Sequence, residues 1–125
     1  MKSMLVIDGS LTVAGLFAEF FEARGWNVGV CTDGECAMDQ LSGSKPYDVV
    51  LLSYRVPGID GLRLIRYMRA LEHRKTTAVM MVTGTSQIRD EAVAAGADAV
   101  LLKPLGTNSL IESAEKLISR PYAEL

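Results

Sequence analysis

The sequence predicts an α/β fold: a doubly wound, five-stranded parallel sheet of order 2-1-3-4-5, with five helices on its two faces. Three observations carry this. Short apolar runs alternate five times with segments of helical spacing. The runs, such as Val49-Val50-Leu51-Leu52, lack polar alternation, as strands covered on both faces do. Each run is followed by a helix-length crossover, which parallel neighbours need and which winds right-handed.

The elements follow in order. Residues 4–7 are a buried strand ending at Asp8; Gly9 turns the chain and Ser10 is placed to cap a helix. That helix, over 11–24, shows apolar spacing at Val13, Phe17 and Phe20, with Leu16 and Phe21 widening the stripe, and stops at Gly25. A second strand spans 26–31, with Val28 and Val30 on one face. A weaker helix over 34–42 is carried by Cys36, Ala37 and Leu41. Residues 42–46 read as a loop. The third strand, over 47–53, ends at Ser53. Pro57-Gly58 turns into a helix over 60–71 with Leu64, Ile65, Met68 and Leu71 inward. A polar connection, 72–75, leads to a fourth strand over 77–83. Helix 87–95 ends at Gly96, strand 97–102 ends at Lys103-Pro104, and helix 107–119 turns Leu110, Ile111, Ala114, Leu117 and Ile118 inward. Residues 1–119 thus form one domain, and 120–125 read as a tail or linker remnant. The six methionines sit mostly at apolar positions and read as core filling.

Composition narrows the function. A chain of 125 residues, 49% hydrophobic and 22% charged, fits one core. Thirteen basic and fifteen acidic residues are spread along it, so nucleic acid is not an expected partner. No apolar run approaches the ~18 residues of a membrane helix, and the first run is too short for a signal peptide. Cys31 and Cys36 make no disulfide framework and lack companions for a metal site; they read as near-core thiols in a reducing, cytoplasmic setting. The one histidine, His73, reads as solvent-exposed and remote from Ser53.

In the expected strand order, Asp8 and Ser53 end neighbouring strands at the switch point, and Thr83 and Lys103 end the next two. Four polar groups far apart in sequence meet on one edge of the sheet. With Ser53-Tyr54-Arg55-Val56-Pro57-Gly58-Ile59-Asp60-Gly61, Val82-Thr83-Gly84, Gly96-Ala97-Asp98-Ala99 and Lys103-Pro104 in this order, the chain resembles the receiver domain of bacterial two-component response regulators over about residues 4–119. The resemblance implies a flavodoxin-like receiver fold in a phosphorelay. It implies a phosphoacceptor at the Ser53 position, a hydroxyl contact from Thr83, a phosphoryl-pairing Lys103 followed by a usually cis Pro104, and a switch residue at the Val100 position.

The departures from the family's pattern shape the expectation. The phosphoacceptor Asp is Ser53; the acidic pair ending strand one is Asp8-Gly9; the aromatic switch residue is Val100; Arg55 stands two after the acceptor position. One carboxylate is a poor Mg²⁺ site, and a serine hydroxyl without a positioned base is a weak nucleophile. No cofactor is therefore expected, with weak Mg²⁺ binding at Asp8 the most it offers, and no catalytic residue is assigned. Asp8 is expected to pair with Lys103, and with Arg55, closing the pocket. The expected role is a degenerate, non-enzymatic receiver that docks a signalling protein or output domain, or forms a homodimer through the fourth helix, fifth strand and fifth helix. The alternatives are a functioning receiver with unusual phosphorylation chemistry and, less favoured, a small flavodoxin-type cofactor binder.

Overall fold

A computed structural model of the chain describes residues 1–103 and 107–118. Pro104 and the tail over 120–125 lie outside the described residues. Five strands, β1 (Ser3–Ile7), β2 (Asn27–Cys31), β3 (Val49–Ser53), β4 (Ala78–Thr83) and β5 (Ala99–Leu102), alternate with helices α1 (Leu11–Glu22), α2 (Gly34–Ser42), α3 (Gly61–Ala70), α4 (Arg89–Ala95) and α5 (Thr107–Ile118). All strand pairs are parallel and the order is β2-β1-β3-β4-β5, as the apolar runs predict.

The strand side chains alternate between two cores. Leu5, Ile7, Val50, Leu52, Val79 and Met81 meet Leu41 of α2, Leu64, Ile65 and Met68 of α3, and Ala92 of α4. Met4, Val6, Val49, Leu51, Met80 and Val82 meet Ala14 and Phe21 of α1 and Leu110, Ile111 and Ala114 of α5. Period-2 alternation between two apolar layers explains why β3 and β4 carry no polar position before their last residues, Ser53 and Thr83. Val49 to Leu52 are all at most 1% exposed, so each contributes roughly 1.5–3 kcal/mol by burial. Four of the methionines, Met4, Met68, Met80 and Met81, fill this core.

Local chemistry sets the helix ends. The Ser10 hydroxyl accepts from Val13 N, Asp33 from Cys36 N and Asp60 from Arg63 N, each leaving an extended cap residue and satisfying a first-turn amide. The chain leaves α1 and α4 through Gly25 and Gly96, both at positive φ.

Four expectations need correction. Leu16 does not widen the inward stripe of α1; it is 48% exposed. The buried face runs through Ala14, Ala18 and Phe21, where small alanines let the helix lie close to the sheet. The helix expected from residue 87 begins as a 3-10 turn over Ser86–Ile88, with α geometry only from Arg89, because the Thr85 hydroxyl caps Gln87 N. The polar connection after α3 is a 3-10 turn, Glu72–Arg74, whose Arg74 is 2% exposed. Arg74 donates through Nε to Leu41 O and through Nη2 to Gln40 O, Gly43 O and Lys45 O, satisfying carbonyls at the end of α2 and in the loop after it. Its guanidinium also lies over the Tyr47 ring at 5.2 Å. His73 is exposed as expected, with Nε2 against the carbonyls of Leu41 and Gly43.

The fourth correction concerns the cysteines. Cys31 and Cys36 are joined by a disulfide, not left as thiols. Cys31 ends β2 and Cys36 lies in the first turn of α2. The turn between them brings their Cα atoms to 5.5 Å, within the range a disulfide spans.

Candidate functional site

The register of the sheet brings the site together. Ile7 stands opposite Leu52, so the next residues, Asp8 and Ser53, face each other where β1 and β3 end. Ser53 stands opposite Val82, which sets Thr83 one residue further along β4, and Lys103 N donates to Thr83 O at 2.8 Å from the end of β5. A cavity of about 390 Å³ opens there, lined by Asp8, Ser53, Tyr54, Arg55, Thr83, Thr85 and Lys103 among others. The convergence predicted from strand order is therefore observed for Asp8, Ser53, Thr83 and Lys103, with Arg55 at the rim.

The loop after β3 approaches this edge closely. Gly61 N donates to Tyr54 O at 2.6 Å, and a Cβ at Gly61 would lie 2.6 Å from Ser53 O. Only glycine lets α3 begin so near the strand it follows. Gly9 does the same from the other side: a Cβ there would lie 2.9 Å from Pro57 Cδ and 3.4 Å from Arg55 O. The Pro57-Gly58 turn is thus folded down onto the position where an acidic side chain would follow Asp8. The spacing of Asp60-Gly61 signals the first approach; nothing in the sequence signals the second.

The polar partners differ from those expected. Asp8 is 6% exposed, and its two carboxylate oxygens are separately engaged. Oδ1 accepts the Ser10 N–H at 2.9 Å, and Oδ2 accepts the Ser53 hydroxyl in a short hydrogen bond. Among the ion pairs of the described residues, none joins Asp8 to Lys103 or to Arg55. The reason is topological. Two strands separate β1 from β5, roughly 14 Å at ordinary strand spacing, and the Lys103 and Arg55 side chains are exposed. Ser53, on the adjacent strand and 6% exposed, reaches Asp8 first.

This geometry also supplies what the sequence reading found lacking. The Ser53 hydroxyl donates a hydrogen bond to the Asp8 carboxylate, which stands where a base for Ser53 would, although His73 lies elsewhere. Thr83 is 4% exposed, and its hydroxyl accepts the Thr85 N–H at 3.3 Å. Sequence reasoning missed Tyr54, Thr85 and Ser10 as site residues. The hydroxyl two after Thr83 and the one two after Asp8 were the available signals. Val100, at the switch-equivalent position, is buried and belongs to the core shared by Met81 and Ala92.

Comparison with known proteins agrees with this arrangement. The family model for the response regulator receiver domain matches residues 4–115. The chain is 30% identical to the transcriptional regulatory protein AruR of Pseudomonas aeruginosa, over 94% of this chain and 49% of AruR. It spans about half the length of AruR and of CpxR of Escherichia coli. A putative response regulator from Chloroflexus aurantiacus superposes with a TM-score of 0.89 at 27% identity, over 95% of this chain and 98% of that one. The response regulator TrrA from Thermotoga maritima, solved in complex with Mg²⁺ and BeF, superposes with a TM-score of 0.82 at 29% identity, over 94% of this chain and 99% of that one.

Proposed function

The chain belongs to the response regulator receiver domain family, and from that premise we propose that it is a degenerate receiver: a signalling domain that docks a protein partner without accepting an acyl phosphate. The observation that carries this is the buried hydrogen bond from Ser53 to Asp8. It occupies the acceptor position with a hydroxyl and takes up one oxygen of the single remaining carboxylate.

The residues present do not fit a Mg²⁺ site of the kind TrrA's complex implies. Mg²⁺ requires near-octahedral oxygen coordination. Here Asp8 offers one carboxylate, already accepting from Ser10 and Ser53. A second acid after it would press on Pro57. No group of three His, Cys, Asp or Glu side chains among the described residues is placed to hold a metal. Lys103 and Arg55 put positive charge at the rim where a phosphoryl group would sit. Val100, without an aromatic ring, has no large inward and outward positions to report a switch, so docking through α4, β5 and α5 is constitutive.

Asp8 beside Ser53 favours a second reading, in which Asp8 takes the hydroxyl proton and Ser53 accepts a phosphoryl group as a stable ester. One experiment separates the two. The protein is incubated with Mg²⁺ and acetyl phosphate and weighed intact, before and after acid treatment. We expect no adduct. An acid-stable adduct lost in Ser53→Ala establishes the second reading, and an acid-labile one overturns the degenerate assignment.

A further inference from the structure

We infer that Cys31 and Cys36 form a reversible thiol–disulfide site, and that its state sets how firmly the β2–α2 turn holds Asp8 and the Pro57 loop. The proposal does not depend on how Ser53 is used.

Three observations carry it. The first is the placement of the two sulfurs. Cys31 is 2% exposed, whereas Cys36 is partly exposed on the first turn of α2. A small thiol or disulfide reaches Cys36 and not Cys31, which gives the pair an attacked and a resolving member. The second is the short interval. The bond spans a sequence separation of 5, and short loops restrain the unfolded chain least, so it adds less as a staple than a long-range bridge would, in a domain that already has two apolar cores.

The third is what the bridged turn touches. At one end, the carbonyl of Cys31 accepts the Asp8 N–H at 3.1 Å. Near the other, Gly34 N donates to Pro57 O at 2.8 Å, and Cys36 N donates to Asp33 Oδ1 at 2.8 Å. The turn therefore grips both the residue that receives the Ser53 hydroxyl and the loop that covers Gly9. On reduction the sulfurs must move from bonding to van der Waals separation. Cys31 is fixed in the β1–β2 pairing, so the displacement falls on Cys36 and the first turn of α2, which carries Gly34.

The exchange balances with a low-molecular-weight disulfide as oxidant. The Cys36 thiolate attacks one sulfur of that disulfide, forming a mixed disulfide and releasing one thiol. The Cys31 thiolate then attacks Cys36 Sγ, forming the internal bond and releasing the second thiol. The two cysteines lose two electrons and two protons, and the small disulfide gains both. Reduction runs the same steps backwards.

The test uses the full chain with glutathione as the probe. The protein is equilibrated across ratios of reduced to oxidised glutathione, quenched with acid, alkylated in denaturant so that both thiols are open to the reagent, and weighed intact. We expect molecules with either no added alkyl group or two, interconverting with the ratio. Amide hydrogen exchange is then measured on both forms. We expect at least tenfold faster exchange at Asp8 N and Gly34 N in the reduced protein, with Asp98 N, bonded to Val79 O at the far side of the sheet, unchanged. Cys36→Ser should match the reduced wild type. A disulfide that never forms across the glutathione range overturns the proposal. So does one that resists reduction until the protein unfolds, or equal protection of Asp8 and Gly34 in both forms.

Discussion

Replacing Ser53 by Asp restores the residue type that receivers carry at this position, and it should destabilise this chain. In the native protein Asp8 Oδ2 accepts a buried hydroxyl. Ser53→Asp removes that donor, and a charge-assisted hydrogen bond contributes about 1.5–3 kcal/mol. It also sets a second carboxylate against the first. Two like charges ~4 Å apart repel by about 4 kcal/mol at the effective dielectric of a partly buried site. Ser53→Asn separates size from charge, because its amide still donates to Asp8, and about 1–2 kcal/mol of loss is expected from crowding alone. The assay is urea unfolding of both variants. With a slope of about 2 kcal/mol per M, the Asp variant's midpoint should fall by about 3 M and the Asn variant's by at most about 1 M. Divalent cation supplies the sharper readout. Mg²⁺ at a hundred times its dissociation constant should return about 2.7 kcal/mol to the Asp variant and nothing to the wild type. Equal losses for Asp and Asn, with no response to Mg²⁺, would refute the Ser53–Asp8 contact as the organising feature of the site.

Other consequences can be measured on the same instruments. Gly9→Ala and Gly9→Asp should both cost about 1–3 kcal/mol, because any Cβ there crowds Pro57 Cδ; a neutral Gly9→Ala would show that the loop yields freely. Arg74→Met should lower stability by about 3 kcal/mol through the loss of four donated hydrogen bonds, and Arg74→Lys should recover less than half, since one ammonium cannot serve Leu41 O and Lys45 O in the guanidinium's geometry; a loss under about 1 kcal/mol would contradict this. Burial pushes the Tyr47 phenol above its ordinary value, an effect the neighbouring Arg74 charge partly opposes. The Tyr47 contribution to stability is therefore intact below about pH 10 and is lost as the pH rises through the raised folded value; ultraviolet titration should show one late-ionising tyrosine that Tyr47→Phe abolishes.

The order of elements, the strand order and the meeting of Asp8, Ser53, Thr83 and Lys103 can all be read from the amino-acid sequence. Each follows from information carried within a few residues: apolar runs without alternation, caps at Ser10, Asp33 and Asp60, and stops at Gly25 and Gly96. The family resemblance was legible for the same reason, since its motifs are short and their spacing is fixed by the sheet. Which groups are partners is visible only in the folded chain. Asp8 was expected to find Lys103, the opposite charge on the same edge, and instead takes the Ser53 hydroxyl from the adjacent strand. Arg74 stands in a run read only as a polar connection and is buried on the end of α2; Leu16 reads as core and faces out; two cysteines that read as thiols are bonded. Hydrophobic period and turn chemistry fix which way a segment runs and which face it buries. They do not fix which donor reaches which oxygen, because that depends on the distance between strands and on the close approach of loops such as the one over Gly9.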